Sequence, residues 1–154
     1  MNKILKYSLS LAFVALVPLS SMAQQLPGKH PAYLHALTDL RTARWFLYHQ
    51  PGSTRVYANE DMGIVEIDAA ISEIKRAAVD DGKDINDYKN VDVKEHGSRL
   101  LKSIETLKKA RADISSEEDN PEVRGLRDRA RMHIDRAISA AERAHIEWLK
   151  DMDK

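Results

Sequence analysis

The stretch Ile67-Asp68-Ala69-Ala70-Ile71-Ser72-Glu73-Ile74-Lys75-Arg76-Ala77 returns, 67 positions on, as Ile134-Asp135-Arg136-Ala137-Ile138-Ser139-Ala140-Ala141-Glu142-Arg143-Ala144, with seven identities in eleven. Its apolar residues recur every three or four positions, the period of one helix face. The same shift lays Leu34, Leu37, Leu40, Ala43 and Arg44 over Leu101, Ile104, Leu107, Ala110 and Arg111. Amphipathic helices rich in Ala and Ile resemble one another in general. A single shift serving two helices, with a shared Ile-Asp-x-Ala-Ile-Ser, favours a duplicated hairpin. Each hairpin has one apolar face and needs the other copy to bury it, and short turns within a hairpin make its helices antiparallel. The expected fold is therefore all-α, an antiparallel four-helix bundle made of two repeated helical hairpins over about 30–82 and 92–150.

Local punctuation marks the ends of these helices. Pro31 suits a first helical position, and Leu34, Leu37, Leu40, Ala43 and Leu47 follow at helical spacing until the turn cluster Gln50-Pro51-Gly52-Ser53. Ile64, Ile67, Ile71, Ile74 and Ala78 form the second series, which Gly82 is placed to stop in a left-handed conformation. A polar connection, Lys83–Val91, leads to Asp92 and Glu95 at capping-box spacing. The third helix carries Val93, Leu100, Ile104, Leu107 and Ile114, with Glu105 and Lys109 as a surface pair. Asn120-Pro121 opens the fourth, which runs to about Lys150 through Leu126, Ala130, Ile134, Ile138, Ala141, His145 and Trp148.

The chain has 154 residues, with 24 bases and 24 acids. Residues 1–23 combine a basic start, an apolar run from Leu9 to Leu19 and the small-residue site Ser21-Met22-Ala23, the three parts of a secretory signal peptide cleaved near Ala23. Its loss leaves 131 residues (24–154) with 22 bases and 24 acids, because Lys3 and Lys6 go and no acid does. That is enough chain for one domain, expected in the periplasm or outside the cell. No later segment is apolar enough for a transmembrane span. A near-neutral charge argues against nucleic acid as a partner. The absence of cysteine removes disulfides, thiolate metal sites, attached c-type haem and cysteine nucleophiles.

Three stretches resemble an uncharacterised family of small exported bacterial helical proteins. They are His30-Pro31-Ala32-Tyr33-Leu34-His35-Ala36-Leu37-Thr38-Asp39-Leu40-Arg41, then Glu66–Ala78 with Asp80-Asp81-Gly82-Lys83, then Glu117-Glu118-Asp119-Asn120-Pro121 through Arg124-Gly125-Leu126-Arg127-Asp128-Arg129-Ala130. The resemblance spans most of the chain after residue 23 and implies no particular activity.

Chemistry has few places to sit. No nucleophile elbow or phosphate loop occurs, so the chain does not read as an enzyme. Among six histidines, His30, His35, His96 and His145 gather at one pole if the helices run up, down, up, down, with Asp80, Asp81 and Asp84 beside them. Imidazole with carboxylate suits zinc, copper or nickel. The candidate ligands are His35, His96 and His145, with His30 and Asp81 as further ones. The structural alternative has His30 capping its helix, His35 bonded to Asp39 and His145 at the core edge under Trp148. The acidic turn Asp80–Asp84 lacks the ligand spacing of a calcium loop. Arg124, Arg127, Arg129, Arg131 and Arg136 alternate with Asp128 and Asp135, the pattern of a salt-bridged face more than of an anion site. Trp45-Phe46-Leu47-Tyr48 reads as core filling ahead of a docking patch. The reading is a non-catalytic exported bundle binding an unknown protein or small ligand; the alternative is a periplasmic metal-binding or metal-buffering protein using the histidine pole. A chaperone role is disfavoured by the absence of repeated Leu-Thr-x-x-Gln.

Overall fold

The computed structural model describes residues 30–49, 58–80, 82, 85 and 96–154. Among them every regular element is helical: α1 (Tyr33–Tyr48), α2 (Ala58–Asp80), α3 (His96–Asp113) and α4 (Pro121–Met152). The expected signal segment 1–23, the expected turn cluster at 50–53, Asp81, Asp84, most of the connection 83–91 and the expected Asp92–Glu95 capping box lie outside the described residues. None of the described helices is long and apolar enough to cross a membrane.

The start and stop signals act where they fall on described residues. Asn120 caps α4, its Oδ1 accepting from the backbone N–H of Glu122 at 3.0 Å, with Pro121 in the first helical turn. Gly82 adopts φ 69°, and its N–H bonds back to Val79 O at 2.8 Å, closing α2. The first helix differs from expectation. Its first helical residue is Tyr33 and not Pro31, because Tyr33 N bonds Pro31 O at 2.8 Å in a tight turn ahead of the helix. That places Tyr33 fully in the core and turns Leu34 outward; Leu101, its partner at the 67-residue shift, also faces out.

The four helices pack as a bundle around one core. α1 and α4 each lie against both α2 and α3, and the α2–α4 seam is the most extensive. Leu37, Leu40 and Leu47 of α1, Ile67 and Ile74 of α2, Leu100 and Leu107 of α3, and Ile134 of α4 are all buried in one cluster. Each contributes roughly 1.5–3 kcal/mol by leaving water. Phe46 and Leu47 fill the core, as expected of the aromatic end of α1, while Tyr48 is exposed. The α2–α4 seam is lined by small residues. A Cβ on Gly63 would come within 3.0 Å of Leu47 Cδ1, 3.7 Å of Ala140 Cβ and 3.9 Å of Ala137 O.

Cross-helix contacts fix which ends adjoin. Ala32 N donates to Asp113 O at 3.0 Å, so α3 ends where α1 begins. Arg99, early in α3, donates to His49 O just past the end of α1. The starts of α1 and α3 therefore lie at opposite ends of the bundle, which corrects the up-down-up-down order used to group the histidines. On the surface, Arg44 grips Asp68 through Nε (2.6 Å) and Nη2 (3.0 Å), and Arg111 grips Asp135 through the same two nitrogens. Glu105 pairs with Lys102 at 2.6 Å and not with Lys109, which reaches across to Asp39.

Candidate functional site

This arrangement splits the histidines between two ends, His30 and His35 toward the start of α1, His96 and His145 toward its finish. His30 lies beside the loop that leads into α4, with Nδ1 3.1 Å from Glu118 Oε1. His35 is exposed on the first turn of α1, near Asp113. His96 opens α3 at the far end of α1 from His35; α1 has 16 residues, about 24 Å of helix. His145 stacks on Trp148, with ring centroids 5.7 Å apart, near the end of α4. That end of α4 lies by the start of α2, where Asn59 donates to Glu147 at 2.6 Å. His35, His96 and His145 thus do not converge, because α3 and α4 run the other way from the expectation that grouped them. The expected His35–Asp39 bond is replaced by Lys109, whose Nζ lies 2.9 Å from Asp39 Oδ2.

Of the proposed ligands, His30 has two carboxylates, those of Glu118 and Asp119, within reach of a shared ion. The Glu118 side chain is fully buried and held from three sides. It accepts from Tyr33 Oη at 2.7 Å, from His30 Nδ1 and from Asn120 N at 2.9 Å. Asp119, beside it on the surface, places a carboxylate oxygen so that the three side-chain ligand atoms of His30, Glu118 and Asp119 lie within 4.8 Å of one another. Arg124 Nε steadies the loop by donating to the carbonyl of Glu118 at 3.3 Å. Glu118 and Asp119 were missed as site residues in the sequence, although two acids directly before an Asn-Pro helix start were visible there.

A second ionic group sits on the α1–α3 side. Burial, then the neighbouring Asp39 carboxylate, push the Asp113 carboxyl above the ordinary range, while Lys109 and His35 oppose the rise. Hydrogen bonding to Asp39 holds the Lys109 ammonium above its ordinary value.

A groove of about 800 Å³ runs along α4, and Met62 and Glu66 of α2 complete it. Its α4 wall includes Arg131, Met132, Arg136 and Arg143, together with Asp128 and Asp135. The acids are engaged elsewhere: Asp128 by Arg127, Asp135 by Arg111, and Glu66 by His133 at 2.6 Å. Of the arginines, Arg143 donates to Asn59 Oδ1 at 3.0 Å, and Arg136 stands 3.9 Å from Glu66. The salt-bridged-face reading holds for Arg127 and Arg129, the latter paired with Glu73 at 3.0 Å. It holds for Arg136 as well, through Glu66, and Arg136 and Arg131 also line the groove. The exposed thioethers of Met62 and Met132 supply its apolar contribution. No family model, curated protein or solved structure matches the chain.

Proposed function

We propose that this chain is a non-catalytic exported helical-bundle protein that binds a small anionic ligand with an apolar body in the groove along α4. The observation that carries the reading is the charge arrangement of that groove. Arg111 and Arg127, which neutralise Asp135 and Asp128, are not among its lining residues, so the guanidiniums of Arg131, Arg136 and Arg143 face one remaining acid, Glu66, which pairs with Arg136. Guanidinium is matched to carboxylate, sulfonate or phosphate, and the methionines accommodate an irregular apolar body. Export to the periplasm or beyond rests on Met1–Ala23, and kinship with small exported helical proteins rests on the quoted stretches.

The finer architecture belongs to the same proposal: an antiparallel bundle of two related hairpins. Two ion pairs support it, since Arg44–Asp68 and Arg111–Asp135 are the same pair displaced by 67 residues. Glu66 and His133 stand at equivalent positions and meet each other, as residues beside a two-fold axis would. Metal binding by His35, His96 and His145 finds no support in where those residues lie.

Calorimetric titration with decanoate, below its aggregation threshold, tests the groove. Saturable binding that weakens about tenfold in Arg131→Ala, the loss of one charge-assisted contact, is the expected result. A flat titration, or equal binding of uncharged decanol, would overturn it.

A further inference from the structure

We propose that His30, Glu118 and Asp119 form a binding site for one zinc-class divalent cation, at the end of the bundle where α1 begins and α4 is entered. The donor set is one imidazole and two carboxylates, which selects zinc and its first-row neighbours over calcium or magnesium, whose sites are built from oxygen. Three ligands leave room for water or a further group in the coordination shell.

The geometry is close to what a metal requires. His30 Nδ1 and Glu118 Oε1 are 3.1 Å apart. Two ligands on a tetrahedral zinc, each about 2.0–2.2 Å from it, stand roughly 3.3 Å apart. The third ligand atom lies within 4.8 Å of both, on the exposed Asp119. A supporting shell is already in place. Tyr33 Oη holds Glu118 Oε2 at 2.7 Å, and the Tyr33 side chain is itself locked in the core. Hydrogen bonds of this kind orient a ligating carboxylate and make up much of a metal site's affinity.

Charge also favours a cation there. The N-terminus of α4 opposes one with about half a positive charge. Two ionised carboxylates outweigh that, and the buried one makes its hydrogen bonds in a low-dielectric setting, where a cation's attraction is strongest. The metal takes the place of the His30 Nδ1 proton that now faces Glu118, and that proton passes to Nε2, so binding uses the neutral imidazole and weakens in acid. The other described histidine–carboxylate pair, His133 with Glu66, lacks this character, since the Arg136 guanidinium already stands 3.9 Å from Glu66.

The full chain after signal removal, carrying no affinity tag and stripped of metal, is titrated calorimetrically with zinc chloride at pH 7 and at pH 5. One zinc per chain at pH 7, weaker at pH 5, is expected. Asp119→Asn, a surface change, and His30→Ala are each expected to weaken binding about tenfold or more, and His133→Ala to leave it unchanged. Circular dichroism confirms that each variant is folded. If His30→Ala is not, Asp119→Asn alone decides. Absence of saturable binding, unchanged affinity in Asp119→Asn, or an equal loss in His133→Ala would each overturn the site. Asp119→Asn, His30→Ala and the metal all lie apart from the residues lining the groove along α4, so loss of this site leaves the groove reading standing.

Discussion

Asp113 is the last helical residue of α3, and two physical effects make its negative charge a poor fit there. Its carboxyl is held above its ordinary value of 3.8 by burial and by Asp39, and the C-terminal end of a helix repels an anion. A raised carboxyl contributes stability below the unfolded value, and that contribution is lost as pH climbs through the higher native value. At neutral pH the ionised side chain therefore costs the folded state free energy. Asp113→Asn is expected to raise the melting temperature at pH 7, with the gain shrinking toward pH 4; an unchanged or lower melting temperature at pH 7 counts against this account. The Arg111–Asp135 grip is different in kind. Both side chains are substantially exposed, so Arg111→Ala is expected to cost no more than about 0.5 kcal/mol in urea unfolding.

Two glycines in helices show how context decides the sign of one change. Gly125 lies near the start of α4, and an added Cβ there would meet only Arg129 Nη1, at 3.6 Å. Gly125→Ala should therefore stabilise the fold by about 0.5–1 kcal/mol, through the restricted unfolded chain alone. Gly63 sits where α1, α2 and α4 come together, and a leucine there should cost about 2 kcal/mol or more by overpacking. Urea unfolding of the two variants side by side measures both. Removing the cap with Asn120→Ala should cost about 1 kcal/mol by the same method. The elements themselves were legible in the sequence. Asn120-Pro121 and Gly82 marked real boundaries, and the three-four spacing found α1, α2 and α4. The start of α1 was misplaced by two residues because Pro31 is as acceptable in a turn as in a first helical turn.

Across the whole molecule, the sequence left the direction of α3 open, and the site depended on it. The fifteen residues between Asp80 and His96 can span up to about 50 Å when extended, so they can return at once or cross the length of the bundle. Spacing along one helix carries no information about that choice. Contacts such as Ala32 to Asp113 and His30 to Glu118, the latter two 88 positions apart, exist only after it is made. The Arg–Asp pairs were legible as repeated letters but not as partners. The α2–α4 seam, where Gly63 faces Ala137 and Ala140, has a consequence of its own. Small side chains let the two backbones approach and exclude solvent along the longest helix pair of the molecule. Amides near Ile67 and Ala137 should thus surrender their protons to deuterium last, through global opening, while those at Ser115 and Ser116 exchange early through local fraying.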